Sequence, residues 1–158
     1  MKIKQGPLKC WDIYSEHLAN QTKSFNTNCD IETLKRYQCK LGWYTDLPSI
    51  IRSYEYDVLV LTDNSKQIIW TNKEFSRMTG YPVNYAIGKK PNFLQGEETC
   101  KVTLGRIRNN LKKGIPFNDV VTNYKKSGSI YKCKINIFPL KNNENDITHF
   151  LALEMQVR

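Results

Sequence analysis

The sequence predicts an α+β domain built on one antiparallel sheet of five strands. Two apolar, β-branched runs, DVLVLTD and QIIWT, follow each other closely between Asp57 and Thr71. Three further runs with strand-like alternation close the chain, and several short helices and one longer helix separate the two groups. Two strands, a set of helices and three strands in this order are typical of an α+β architecture.

Length and composition indicate one soluble globular domain with an added segment. The chain has 158 residues, of which 40% are hydrophobic and 25% are charged. No apolar run reaches the roughly 18 residues of a membrane span, and the N-terminus lacks the apolar core of a signal peptide. Five cysteines without a CxxC pair favour a reducing, cytoplasmic location and argue against a zinc site.

The formal net charge of +9 is compatible with nucleic acid or an acidic partner. The lysines are spread along the chain, however, and neither a basic recognition helix nor zinc-finger spacing is present. We therefore favour a solvated, lysine-rich surface over a nucleic-acid site.

Residues 1–56 predict an N-terminal helical extension of three amphipathic helices. An apolar stripe at helical spacing marks the first of them: Leu8, Trp11, Tyr14 and Leu18. After a polar gap at residues 20–28, Asp30 is the expected N-cap of the second helix. Asp46, with Pro48 just inside, opens the third. Because each stripe must be buried, the extension is a cap on the sheet of the same chain, a dimer surface, or both.

Residues 57–158 form the predicted sheet domain. The first two strands make a hairpin across the Asn64-Ser65 turn. Asn72 begins a helix that Gly80 closes, and a longer helix runs from about residue 97 to residue 113. The last three strands are expected at residues 117–124, 129–138 and 146–157.

Three segments carry a resemblance to a known family: NKEFSRMTGY, FLQGEET and NYKKSG. With them, the region from Asp57 to Arg158 resembles a PAS sensory domain, and in particular its light-sensing LOV branch. The resemblance implies a PAS fold, with helices on one face of the sheet and a ligand cleft between them. LOV proteins hold flavin mononucleotide (FMN) there and read roughly GRNCRFLQG around a flavin-reactive cysteine. This chain reads GKKPNFLQG, with Pro91 in the place of that cysteine.

The resemblance also implies five candidate cofactor-binding residues. Gln95 matches a glutamine beside the flavin ring, Arg108 a phosphate-binding arginine, and Asn123 an asparagine at the pyrimidine edge. Cys133 stands in place of a second pyrimidine-binding asparagine. Glu154 replaces the glutamine that relays the state of the flavin to the last strand.

The departures from the LOV pattern bear on photochemistry and on affinity. Adduct formation needs a nucleophile over the ring, and proline has none. Lys90 and Asn92 replace two further polar contacts of the LOV site, an asparagine and the second phosphate arginine. Four lost polar contacts together come to roughly 5 kcal/mol, which is between three and four decades in affinity. Proline also opens a short helix favourably, and GKKPNFLQ resembles the flavin-free PAS domains of bacterial signalling proteins.

Period-two alternation predicts which strand residues face the cleft. Cys133, Ile135 and Ile137 should lie inside, and Lys132, Lys134 and Asn136 outside. Val121 and Asn123 should face the same interior from the neighbouring strand. The LOV resemblance places Glu154 inward as well, where a buried carboxyl must be protonated or hydrogen-bonded.

The leading hypothesis is a stand-alone PAS sensory and signalling module without adduct photochemistry, which acts through ligand occupancy or a protein partner. One alternative is an FMN-binding, cysteine-less LOV-type photosensor or redox sensor. Another is a basic adaptor for nucleic acid or an acidic partner. We expect no enzymatic activity, because paired carboxylates, a Cys–His dyad and phosphate-binding glycine motifs are absent from the sequence. The expected partners are a second copy in a homodimer or a signalling protein, with a small molecule in the cleft and no membrane.

Overall fold

The sheet has the strand order β2-β1-β5-β4-β3, and every neighbouring pair of strands is antiparallel. A computed structural model describes residues 9–157 of the protein, with side chains from residue 11 onward. The strands are β1 (Val58–Asp63), β2 (Ile68–Thr71), β3 (Phe117–Tyr124), β4 (Ile130–Lys141) and β5 (Ile147–Val157). The predicted α+β class and five-stranded antiparallel sheet are confirmed.

Five α-helices and one short 3₁₀ helix occupy the rest of the described chain. They are α1 (Lys9–Leu41), α2 (Leu47–Ser53), α3 (Glu74–Thr79), α4 (Val83–Ala86), the 3₁₀ helix (Pro91–Leu94) and α5 (Lys101–Lys113). As predicted, Asp46 caps α2, because its side chain accepts a hydrogen bond from the backbone N–H of Ser49 at 3.2 Å. Gly80 ends α3 in the left-handed conformation, with φ of 76°.

Helix α1 is continuous, so the expectation of two separate helices before α2 was wrong. The polar residues 20–28 remain helical, and Asp30 lies inside the helix instead of capping one. Its carboxylate accepts hydrogen bonds from the Asn72 amide at 3.2 Å and the Tyr56 hydroxyl at 3.5 Å. Tertiary contacts of this kind override the weak helix propensity of the polar stretch.

The two halves of α1 differ in burial. In the first half, Trp11 is 63% exposed, Tyr14 56% and Leu18 44%, while Leu8 of the predicted stripe lies outside the described residues. In the second half, Ile31 and Leu34 are buried. Only the second half therefore acts as a cap on the sheet within this chain.

The cap packs on one face of the sheet, which we call the outer face. Its buried residues are Ile31, Leu34, Trp43, Leu47 and Ile51. They meet a row of sheet residues that share the outer face: Leu59, Leu61, Phe138, Leu140, Leu151 and Leu153. Burying one Leu or Ile side chain stabilises the fold by about 2 kcal/mol, so the cap contributes substantially to stability.

The opposite, inner face is covered by α3 to α5 and the 3₁₀ helix, as the PAS resemblance implied. A second core cluster lies there, and it includes Val60, Phe75, Leu94, Val121 and Ile135.

Helix α5 begins at Lys101, four residues later than expected. A side-chain network at Thr99 holds the preceding turn: its hydroxyl donates to the Thr122 carbonyl at 2.7 Å and accepts from the Gly96 N–H at 2.9 Å. Glu97 and Glu98 therefore precede α5 rather than lie in its first turn.

Candidate ligand-binding cavity

A cavity of about 670 Å³ lies between the inner face of the sheet, α5 and the 3₁₀ helix. Its walls are mostly apolar. The main apolar lining residues are Val60, Leu94, Leu104, Ile107, Val121, Ile135 and Ile137. Leu104 and Ile107, with Leu111, come from one face of α5, in agreement with the helical spacing read from the sequence.

On the sheet side, the cavity is lined by alternate residues of three strands. Val121 and Asn123 on β3, Ile135 and Ile137 on β4, and Ala152 and Glu154 on β5 all line it. The pairing register places Ile135 opposite Glu154. Between Ile135 and Ile137, Asn136 alternates to the other face, where it is buried and not solvent-exposed. The predicted facing of β3 and β4 and the inward direction of Glu154 agree with these positions.

Four of the five candidate residues come together around this cavity: Gln95, Arg108, Asn123 and Glu154. Gln95 directly follows the 3₁₀ helix, and Arg108 lies on α5. Cys133 faces the inner core but does not line the cavity. Its thiol contacts Glu154, with a distance of 3.8 Å from Sγ to Oε2.

Glu154 is buried, with 8% of its surface exposed. Burial raises the pKa of its carboxyl from 4.5 to about 7, and the hydrogen bond from Cys133 opposes this only partly. Burial and then the nearby Glu154 charge raise the pKa of the Cys133 thiol. The carboxyl therefore changes charge near neutral pH, whereas the thiol stays protonated.

A buried tyrosine that the sequence reasoning did not single out lies in the inner core near Cys133. Tyr131 precedes Cys133 by two positions on β4, so the two side chains share the inner face. Its hydroxyl is buried and has no hydrogen-bond partner within residues 9–157. Burial is the main cause that raises the pKa of this phenol. Period-two alternation from Cys133 was the signal that could have found it.

Pro91 occupies the first position of the 3₁₀ helix and lines the cavity. The preceding Lys90 is extended, with φ of −80° and ψ of 145°, which is the conformation that a following proline favours. Pro91 thus fits its backbone without strain, as the helix-opening interpretation predicted.

Cations line the open end of the cavity, and we call this end the mouth. They are Lys66, Lys90, Arg108 and Lys112. The ion pairs within residues 9–157 involve Lys35, Arg77 and Arg106, and none involves the four cations of the mouth. The sequence reasoning noted Lys90 and Arg108 but missed Lys66, which only the β1–β2 turn brings to the mouth.

Within residues 9–157, no cluster of three or more His, Cys, Asp or Glu side chains is arranged to hold a metal ion. Among these helices, none combines the length and apolar character needed to cross a membrane.

Known proteins share the sequence pattern and the fold of this chain. The PAS domain family model matches residues 57–155. A blue-light photoreceptor of Listeria innocua is 30% identical over 102 residues, which cover 63% of this chain and 40% of that protein. A blue-light-activated histidine kinase of Rhizobium johnstonii is 28% identical over 102 residues, covering 63% of this chain and 30% of the kinase. The chain thus spans well under half the length of either relative.

Solved structures show the same fold. A light-oxygen-voltage domain studied with a flavin analogue superposes with a TM-score of 0.65 at 25% identity, covering 73% of this chain and 87% of that one. The LOV domain of a blue-light-activated histidine kinase from Erythrobacter litoralis superposes with a TM-score of 0.61 at 22% identity, covering 66% of this chain and 97% of that domain.

These matches define a sensory domain of the PAS type that is related to blue-light photoreceptors. The chain belongs to the PAS domain family.

Proposed function

We propose that this domain senses the occupancy of its cavity and passes the change to a protein partner, without forming a thiol adduct. The observation that carries the proposal is the cavity of about 670 Å³, a size within the roughly 300–1,000 Å³ of small-molecule sites. Apolar walls with a few convergent polar groups are the usual composition of such sites. Gln95, Asn123 and Glu154 are the polar groups that would orient the ligand, and Arg108 would meet it at the mouth.

Thiol chemistry is not part of the proposal, because no cysteine of the described chain lines the cavity. Pro91 lines it at the position where the LOV resemblance places the reactive cysteine. Cys133 lies beside Glu154, and burial keeps its thiol protonated and unreactive. Cys100 is exposed and does not line the cavity.

FMN is the second candidate, as the ligand of a cysteine-less LOV-type sensor. Arg108 and Lys90 at the mouth suit a phosphate, and the amides of Gln95 and Asn123 suit the polar edge of a flavin. Glu154 fits only as a neutral acid, because a carboxylate would oppose flavin carbonyl oxygens, acceptor against acceptor. With its pKa raised to about 7, the neutral form is populated at and below neutral pH. Bound FMN would supply blue-light absorption and redox chemistry.

Strand β5 offers a route from the cavity to the cap. Glu154 and Ala152 face the cavity, whereas Leu151 and Leu153 of the same strand pack on the outer face against the cap. A ligand that shifts β5 by a fraction of an ångström therefore disturbs both faces, since packed cores transmit strain. The proposed output is a change in how α1 packs or associates.

The proposed partner surface is the exposed first half of α1, and the proposed partner is a second copy of the chain. Trp11, Tyr14, Leu18 and Phe25 are all exposed and follow one another at steps of three, four and seven residues. This is the spacing of a coiled-coil seam, which two such helices bury against each other.

Two variants of neighbouring residues test the occupancy proposal. Val121→Phe fills the cavity, whereas Val120→Phe adds the same ring at an exposed position of the same strand. Parent protein and the Val120 variant should bind 1-anilinonaphthalene-8-sulfonate, added FMN, or a small molecule carried through purification. The Val121 variant should lose that binding at unchanged far-UV circular dichroism. Equal binding by both variants, or none by the parent, would refute a ligand-binding cavity.

A further inference from the structure

A surface hollow of about 430 Å³ lies where α5 ends, and we call it the lysine groove. Its charged lining residues are Lys66, Lys112, Lys113, Lys141 and Asp146. They come from three separate parts of the chain, namely the β1–β2 turn, the end of α5 and the β4–β5 hairpin. The fold therefore gathers in one concave place lysines that are far apart in the sequence.

The positive charge of the groove is not neutralised within residues 9–157. None of its four lysines takes part in an ion pair there, whereas Arg106 of the same helix α5 pairs with Asp119. Four ammonium groups with one carboxylate, that of Asp146, leave a formal charge of +3. Like charges gathered in one hollow raise the local potential, which favours an anionic partner.

Lys66 is held in position at the edge of the groove. Its backbone has φ of 67°, in the left-handed region. Its ammonium lies 5.0 Å from the centre of the Phe150 ring and donates to the Asn64 carbonyl. A cation that is already ordered loses less conformational freedom when an anion binds, so this lysine is prepared for one.

The end of helix α5 indicates what kind of anion suits the groove. Lys112 and Lys113 are the last basic residues of the helix, and Gly114 is its C-cap. The final carbonyl groups of a helix carry partial negative charge and accept hydrogen bonds. A compact dianion such as phosphate is repelled by that partial charge. A peptide suits both features, because its carboxylates pair with lysines and its backbone N–H groups donate to carbonyls.

Two other interpretations of these lysines explain less of the groove. Interaction with the helix dipole accounts for Lys112 and Lys113 but not for Lys66 and Lys141. Single-stranded nucleic acid uses exposed aromatic rings on which bases stack. The ring in this groove, Phe150, is 5% exposed and has Lys66 above it, so the groove offers no such platform.

We propose that the lysine groove binds an acidic segment of a partner protein, in which carboxylates flank an apolar side chain. The carboxylates pair with Lys113 and Lys141, and the apolar side chain lies against Ile147, which also lines the groove. The partner is a different protein, because the longest acidic run in this chain is the pair Glu97-Glu98. The interaction goes beyond occupancy of the cavity, since Lys113, Lys141 and Ile147 line the groove but not the cavity.

Isothermal titration with the end-blocked peptide EELEE tests the proposal. At low ionic strength the parent should bind EELEE but not the neutral QQLQQ, and added salt should weaken the binding. Lys113→Gln together with Lys141→Gln should lower the affinity about tenfold, because two exposed ion pairs are lost. The matched control, Lys132→Gln with Lys134→Gln, removes the same charge from exposed positions of β4 that line neither hollow. It should retain the parent affinity within about twofold.

A variant that gains affinity provides a second test. Asp146→Asn removes the carboxylate of the groove and should raise the affinity for EELEE about threefold. Its control is Glu144→Gln, which removes an exposed carboxylate two residues away that does not line the groove, and the gain should be smaller. An equal gain in both variants would mean that net charge controls binding, and it would overturn the proposal.

Three other results would also refute it: no binding of EELEE by the parent, equal losses in the two double-lysine variants at unchanged far-UV circular dichroism, or tighter binding of pentathymidylate. The oligonucleotide carries as many negative charges as the peptide, so its preference would indicate a nucleic-acid site instead.

This proposal and the ligand-binding cavity fail independently. Val121→Phe fills the cavity and should leave the affinity for EELEE unchanged. The Lys113/Lys141 variant should in turn leave unchanged the binding of N-phenyl-1-naphthylamine, a neutral probe for the apolar cavity. Loss of EELEE binding in Val121→Phe would place the peptide in the cavity and refute the groove as its site.

Discussion

Replacing the buried carboxyl by an amide, Glu154→Gln, should stabilise the protein in a manner that depends on pH. The pKa of Glu154 is raised from 4.5 to about 7 by burial. In the unfolded chain the carboxyl ionises above its ordinary pKa, whereas in the folded protein it stays neutral until pH 7. The folded state therefore holds one more proton across this interval.

The sign and the magnitude follow from proton linkage. Because the folded state binds more protons, the free energy of unfolding of the parent decreases as pH rises. The contribution of Glu154 is fully present below pH 4.5 and is lost as pH rises through about 7. A difference of one pKa unit corresponds to about 1.4 kcal/mol, so the total change is about 3 kcal/mol. Glutamine does not titrate, and its variant lacks this decrease.

Urea denaturation of both proteins between pH 5 and pH 8.5 measures the effect. The stability of Glu154→Gln relative to the parent should rise by about 2–3 kcal/mol across that range, while other titrating groups cancel in the difference. The control is Glu97→Gln, which removes an exposed carboxyl and should give a curve parallel to that of the parent. A difference between parent and Glu154→Gln that does not change with pH would refute a buried, neutral Glu154.

Three further predictions concern Pro91, the cap and the junction between α1 and the sheet. Blue light should cause no reversible loss of the flavin absorbance band in FMN-loaded parent, whereas Pro91→Cys should gain one; bleaching of the parent would contradict the proposal. Deleting residues 1–55 exposes the outer face and should cause aggregation, and a soluble, equally stable product in light scattering would show that the cap is dispensable. Asn72→Ala removes hydrogen bonds to Leu59 N, Asp57 O and Asp30 and should lower the free energy of unfolding by about 2–3 kcal/mol, with the exposed Asn84→Ala as control.

The strands could be predicted closely because each is an apolar, β-branched or alternating run bounded by turn residues such as Asn64-Ser65. The predicted third strand coincides with β3, and the others differ by at most three residues at an end. Period-two alternation alone left the side of Glu154 open, and the LOV resemblance was what placed it inward.

The continuity of α1 could not be predicted, because residues 20–28 carry no apolar stripe. The contacts that hold this part of the helix in place come from residues remote in the sequence. Asn72 donates a hydrogen bond to Asp30, and Lys73 donates to Asn26 at 3.0 Å. The group of cations at the mouth could not be predicted for a similar reason. Lys66 and Lys112 lie far apart in the chain, and only the fold brings them together. Cys133 was placed on the correct face, but the Glu154 side chain beside it is the one that lines the cavity.

The charge state of Glu154 also couples ligand binding to pH. The direction of this coupling shows whether the ligand places hydrogen-bond acceptors or donors next to Glu154. A ligand with acceptor groups at its inner edge, such as a flavin, binds only the neutral acid, so its affinity should fall up to tenfold per pH unit above about 7. A ligand with donor groups there binds the carboxylate and should gain affinity over the same range. The neighbouring Cys133 and Tyr131 have raised pKa values and stay neutral throughout. Titrations of one ligand at pH 6, 7 and 8 separate the two cases, and in Glu154→Gln the dependence should disappear. A slope that persists in the glutamine variant would mean that another group controls binding.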